Sequence, residues 1–292
     1  MRLLLTGAGG QLGTDLRNIA EKVKLLPLTH HELDITDSSA VYKACQDFLP
    51  DVIINTAAYV RVDDCETNAD AAFSVNSFGA RNLAVASQQC GAKLCHISTD
   101  YVFGGEGITY ERPITEFDTP APVNTYGSSK LAGENHVRHL CKKYFIVRTS
   151  AVFGTAESSG KGGNFVETIL QLAKERNELS VVNDQRFSPT YTLDLAAKIV
   201  QLIKTDSYGT FHLTNSGTCT WYEFTREILR IADVDVKLSP IASEDFPRPA
   251  KRPSYSVLDN YCLRLLGLDD MRPWQDALEA YMKERNDKNE KR

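Results

Sequence analysis

Apolar residues recur along this chain in two rhythms, short unbroken runs and longer stretches at helical spacing. The first run, Arg2-Leu3-Leu4-Leu5-Thr6, predicts a buried strand, and a helix follows from the next turn to about Glu21. Similar runs predict strands over residues 24–28, 51–58, 93–98 and 144–149. Helices fill the intervals. One runs to about Phe48 from Thr36 or Asp37, either of which can cap it. A long one spans residues 69–89, with Ala72, Phe73, Val75, Phe78, Leu83 and Val85 at helical spacing, and a third begins near Asn124. Such alternation implies a parallel sheet covered by helices on both faces. After residue 150 the order loosens. Residues 155–163 predict a polar, glycine-rich mobile loop, and residues 184–190 a turn. Helices are expected over 164–175, 193–204 and 221–232, and a strand over 210–214. Residues 240–253 hold four of the eleven prolines and predict a segment wrapped on a surface. The charged tail, 283–292, is expected to fray.

The turn after the first strand reads Gly7-Ala8-Gly9-Gly10-Gln11-Leu12-Gly13 and opens a helix. Strand, glycine turn and helix together predict a dinucleotide site, because the glycines admit a pyrophosphate to the backbone and the helix N-terminus favours negative charge. Ala57 and Ala58 end the third strand with small side chains that leave room at the same crevice, and Asp34 is a candidate partner for an adenine amino group. Thr29 and His30 end the second strand, where an acidic residue would select NAD and a basic one NADP; neither selects, so both stay open. The next strand ends in Ser98, Thr99, Asp100 and Tyr101, a hydroxyl-rich cluster facing the crevice. Tyr126 and Lys130 stand one helical turn apart, so an ammonium would lie near a phenol, lower its pKa and make it a general acid or base. These features give an α/β chain with a Rossmann-like doubly wound sheet. Residues 1–150 and parts of 180–215 form the dinucleotide-binding domain. The remainder of 151–292 forms a smaller C-terminal α/β part that binds substrate.

The net charge of −5 gives no electrostatic case for nucleic acid, and no apolar run approaches the length that spans a bilayer. Seven cysteines occur without a C-x-x-C pair, and the six histidines form no H-E-x-x-H, so neither a disulfide framework nor a metal centre is expected. His136 and His139, three apart on a helix, read as an exposed pair. Reduced thiols point to a cytoplasmic enzyme.

These residues resemble the extended short-chain dehydrogenase/reductases, and more closely the dTDP-4-dehydrorhamnose reductase family. Thr6-Gly7-x-x-Gly10-x-x-Gly13 is similar to the family's glycine motif and Tyr126-x-x-x-Lys130 to its catalytic pair. Ser98 to Phe103, Arg148-Thr149-Ser150, Asn164-Phe165, Asn183-Asp184-Gln185, Pro189-Thr190, Trp221 to Phe224 and Arg252-Pro253-Ser254 extend the likeness nearly end to end. The resemblance implies hydride transfer from NADPH or NADH to the C4 ketone of a nucleoside-diphosphate 4-keto-6-deoxy sugar. Thr99, Tyr126 and Lys130 would be catalytic. The cofactor would meet Gly7, Gly10, Gln11, Leu12, Gly13, Asp34, Ile35, Ala57, Ala58, Tyr59, Ser98, Tyr126 and Lys130, and the substrate Val62, Thr99, Asp100, Tyr101, Asn164 and Phe165. Ala151 stands where the family commonly has Trp, and Tyr255 where it has Asn, so the sugar stays open. A reductase or epimerase of another nucleotide sugar is the first alternative. A non-catalytic subunit resembling the regulatory partner of methionine adenosyltransferase is the second. A homodimer is among the expectations for assembly.

Overall fold

The computed structural model describes residues 1–19, 23–156 and 163–290. Its main sheet contains β1 (Arg2–Thr6), β2 (Lys24–Leu28), β3 (Val52–Asn55), β4 (Lys93–Thr99), β5 (Tyr144–Thr149) and the edge strand Gly209–His212. The order is Gly209–His212, β5, β4, β3, β1, β2, and every neighbouring pair is parallel. This is the doubly wound, Rossmann-like arrangement that the alternating pattern implies. Chain order reverses between β1 and β3, so the crossovers on either side leave by opposite faces and open a crevice at the strands' carboxyl ends.

Burial on both faces explains the unbroken apolar runs. Leu3 and Leu5 pack into one core with Leu12 and Leu16 of α1 (Gln11–Ile19), while Leu4 packs into another with Val41 of α2 (Ser38–Phe48). Asp37 rather than Thr36 caps α2, accepting the N–H groups of Ser39 and Ala40. The helix expected over 69–89 is divided into α3 (Ala69–Phe73), a π-helical turn (Ser74–Gly79) and α4 (Ala80–Cys90). Contacts from other elements accompany the wide turn. Asn76 accepts the Tyr59 N–H at 2.8 Å and donates to Ser129, and Gly79 lies against Ile35 with no room for a side chain. Ser129 belongs to α5 (Thr125–Leu140), which covers the same face of the sheet.

A third core joins α6 (Phe165–Glu175), α7 (Thr192–Leu202), α8 (Trp221–Ala232) and the C-terminal helix, although α7 gives most of its apolar residues to the first core beside α1. Short strands support this half: Glu178–Val182 pairs with Lys237–Ile241, and Arg186–Phe187 with Cys219–Thr220. Arg186–Phe187 and the short strand Thr190–Tyr191 therefore replace much of the expected turn. After α9 (Tyr261–Leu265), α10 runs from Trp274 to Glu290, so the tail does not fray within the described residues. Glu284 accepts hydrogen bonds from Thr155 and Tyr191, and Arg285 pairs with Glu167 at 2.6 Å; these contacts hold the polar end of the helix. The expected helix end near Glu21 and most of the loop at 155–163 lie outside the described residues. Among the described residues no helix is long and apolar enough to cross a membrane.

Candidate functional site

The crevice opens into one cleft of about 2090 Å³ between the sheet and the third core. Every residue singled out from the sequence as cofactor- or substrate-facing lines it. Gly7, Gly10, Gln11, Leu12 and Gly13 form the floor beside Asp34 and Ile35, and Ala57, Ala58, Tyr59 and Val62 follow β3. Ser98 and Thr99 end β4 and Asp100 and Tyr101 follow it, Tyr126 and Lys130 belong to α5, and Asn164 and Phe165 come from the start of α6.

The glycine turn has the shape of a phosphate cradle. Gly7 has φ +71°, and a Cβ there would meet the Ala57 nitrogen and the Thr56 carbonyl carbon. A Cβ on Gly13 would sit 2.9 Å from the Ala8 Cα and closer still to the Gly7 carbonyl oxygen. The first N–H groups of a helix lack partners within it, and α1 begins at Gln11, where the glycine turn lines the cleft. Gly13→Ala is expected to cost about 1–3 kcal/mol, because the clash is with backbone and exceeds the helix-propensity gain of about 1 kcal/mol. A lower urea midpoint checks this; an unchanged one would mean that the turn is looser than its geometry.

Several polar side chains are already committed to the protein. Asp34 accepts both the N–H and the hydroxyl of Thr36 through one oxygen, at 2.9 and 2.8 Å. Ser98 donates to Glu134 at 2.6 Å. Asp100 is buried and accepts from Ser150 and Ser256 at 2.7 and 2.6 Å; burial raises its pKa to about 6 against those hydroxyls. Asn164 caps α6 through the Glu167 N–H and donates to the Gly154 carbonyl at 2.8 Å. Asp100 and Asn164 therefore line the cleft while their side chains fasten its walls.

Thr99 is oriented by two bonds, donating to Asp100 at 3.1 Å and accepting from the Tyr101 N–H at 3.2 Å. Lys130 is 2% exposed, and its Nζ donates to the Ile97 carbonyl at 2.6 Å. Burial lowers the Lys130 pKa to about 8, opposed by Glu134 one turn on. The Tyr126 phenol departs from the sequence expectation. Desolvation and the neighbouring Asp100 raise its pKa against the opposing Thr99 side chain. The Lys130 ammonium is turned toward the strand carbonyl, so burial outweighs it. Behind these groups lies a buried ionic core. Glu134 takes Arg148 through two bonds, at 2.9 and 2.7 Å, and Arg138 at 2.6 Å. Burial pushes the Glu134 pKa up, but Arg148, Ser98 and Arg138 together hold it below the ordinary carboxylate value.

The far end of the cleft was not legible from local pattern. Phe165 lies 4.5 Å from Trp221, and Trp221 lies 4.0 Å from Phe187, making an aromatic wall from three distant segments. Arg176, Arg186, Arg248 and Arg252 also line the cleft. The proline-rich segment suggested a wrap; the side chains it would present to the cleft had no local signature.

A family model described as the RmlD substrate binding domain matches residues 1–286. The crystal structure of dTDP-4-dehydrorhamnose reductase from Bacillus anthracis, in complex with NADP, superposes with a TM-score of 0.91 at 46% identity, covering 97% of this chain and 99% of that one. The dTDP-4-dehydrorhamnose reductase of Mycobacterium tuberculosis (strain H37Rv) is 39% identical over 95% of this chain and 91% of its own length. The dTDP-4-keto-6-deoxy-D-glucose reductase of Streptomyces niveus is 38% identical over 95% of each.

Proposed function

This chain belongs to the dTDP-4-dehydrorhamnose reductase family, and on that premise we propose that it reduces the C4 ketone of a dTDP-4-keto-6-deoxy-L-sugar, forming dTDP-L-rhamnose from dTDP-4-dehydrorhamnose. It is an NAD(P)H-dependent oxidoreductase of nucleotide-sugar biosynthesis. The observation that carries the site assignment is the convergence of Thr99, Tyr126 and Lys130 on the cleft that begins at the glycine turn.

The first two cores and their sheet are the cofactor half in this reading, and the third core is the sugar half. The turn of Gly7, Gly10 and Gly13 would hold the pyrophosphate, and Ala57, Ala58 and Tyr59 would flank the nucleotide beyond it. A bound reduced nicotinamide supplies the hydride. Tyr126 Oη gives its proton to the C4 carbonyl oxygen, and Thr99 Oγ1 orients that oxygen and stabilises its developing charge. Lys130 Nζ balances the phenolate left on Tyr126. Trp221, Phe165 and Phe187 offer flat apolar surface to the base or sugar. That no disulfide joins the seven cysteines among the described residues, together with the need for reduced nicotinamide, supports a cytoplasmic site of action.

The test is oxidation of NADPH and of NADH by purified protein with dTDP-4-dehydrorhamnose. Turnover with either nicotinamide supports the reading, and none with both removes it. The near-equal identity to the Streptomyces niveus relative favours dTDP-4-keto-6-deoxy-D-glucose as the second sugar, to be run in parallel. In this assay kcat/KM is expected to fall as pH rises past about 8, where Lys130 loses its proton and can no longer balance the phenolate. A profile flat to high pH would take Lys130 out of that role.

A further inference from the structure

The segment 250–256 is anchored in the sugar half and fastened to the cofactor half at three points. Its anchor is Arg186, whose N–H donates to Ser254 O at 2.9 Å and whose carbonyl accepts from Ser256 N at 2.8 Å. The first fastening is Asp63, after β3. Both Asp63 oxygens accept from the Arg252 guanidinium, at 2.9 Å each, and one also accepts from the Ala250 N–H at 3.2 Å. The second is Asn124, whose amide donates to the Lys251 carbonyl at 2.8 Å while its oxygen caps the first turn of α5 at Gly127. The third is Asp100, next to Thr99, which accepts from the Ser256 hydroxyl. Glu66, three residues beyond Asp63, binds the N–H and the hydroxyl of Thr125 at 2.9 Å each. Asn124, two residues before Tyr126, and Asp100, next to Thr99, are thus tied to one strap that begins in the other half of the molecule.

Resting on the proposed reductase reading, we infer that Asp63 and Arg252 are positioning residues: their two-bond ion pair seats the strap that aligns the Tyr126 end of α5 and the Thr99 end of β4 on the sugar ketone. Arg252 is only 13% exposed at its side chain, and both terminal nitrogens are engaged by Asp63. It sets geometry and is not the strap's free cation for ligand charge. Arg248, two residues before Ala250, is 48% exposed, lies 3.6 Å from Asp63 and 4.8 Å over the Phe246 ring, and lines the cleft, where an anionic substrate group can reach it. The pair acts on Tyr126 through Lys251 O and Asn124, without touching the reacting atoms itself.

The test uses Asp63→Asn in the full-length protein. kcat is expected to fall by about 10–100-fold, as a misplaced reacting group does, with the Kd for NADPH within about twofold of wild type. Amide hydrogen exchange should quicken in residues 124–128 and 250–256, a readout that needs no substrate. Arg252→Lys keeps the charge, loses the two-bond geometry and should show the same pattern more weakly; it replaces Asp63→Asn should that variant not fold. Unchanged exchange in residues 124–128 would overturn the inference, as would a loss shared equally between kcat and NADPH affinity. If wild type reduces no 4-keto nucleotide sugar, the reductase reading falls, and the exchange experiment alone decides whether the clamp orders α5.

Discussion

Tyr126→Phe is expected to lower kcat by about 10²–10⁴-fold while leaving NADPH affinity nearly unchanged, because it removes the proton donor and its contact with Thr99 but keeps the ring. The ring stays, with its edge contact to Tyr101 at 5.9 Å, so the fold should be unaffected. A raised phenol pKa suits this role in the direction of ketone reduction. The donor must hold its proton until the carbonyl oxygen gains charge, and desolvation together with Asp100 keeps Tyr126 protonated at neutral pH. Lys130 then matters after the transfer, when an ammonium near a new phenolate lowers the energy of the charged state. Steady-state oxidation of NADPH with the 4-keto sugar, alongside fluorescence titration of NADPH, separates the two quantities. Wild-type turnover in the Phe variant would remove Tyr126 from proton transfer.

The main sheet was legible because each of its strands carries a local signal. Leu3, Leu4 and Leu5 serve both faces at once, and Asn124 marks the start of α5 by its own capping bond. The glycine turn was legible from its place between a strand and a helix, and Gly13 meets the Gly7 and Ala8 backbone a few residues away, whereas the crowding of Gly7 by Thr56 and Ala57 shows only in the fold. What stayed hidden depends on pairs far apart in the chain. Asp63 and Arg252 are 189 residues apart, and Arg285 is 118 from Glu167. Nothing in the composition of residues 283–290 announces a helix whose charges find partners in another element. The π turn at Ser74–Gly79 was equally silent, because Asn76 reads as an ordinary helical position until Tyr59 and Ser129 are beside it. The direction of the Tyr126 pKa belongs to this group too. Spacing placed an ammonium one turn away, but Asp100 and the cleft walls decide the balance.

Arg148→Met is expected to cost about 3–5 kcal/mol of stability at pH 7, since it leaves a carboxylate without solvent exposure only Arg138 and Ser98 as partners. Methionine fills much of the volume, so the cost is chiefly electrostatic. The pH dependence identifies the cause. In the wild type the Glu134 pKa is depressed below 4.5, so the native state binds fewer protons than the unfolded chain, and this contribution is present above about pH 4.5 and lost as pH falls through the folded value. Without Arg148, burial dominates and raises the Glu134 pKa. The variant is then penalised as pH rises, so its deficit should be smaller near pH 4.5 than at pH 7. Urea unfolding at the two pH values measures the difference. Adding Glu134→Leu to Arg148→Met removes the stranded charge and should recover most of the loss. Equal deficits at both pH values, or no recovery in the double variant, would place the damage in packing against Phe103, which the Arg148 guanidinium covers at 5.0 Å. The same network holds Ser98 one residue before Thr99, so kcat of the single variant should fall along with stability.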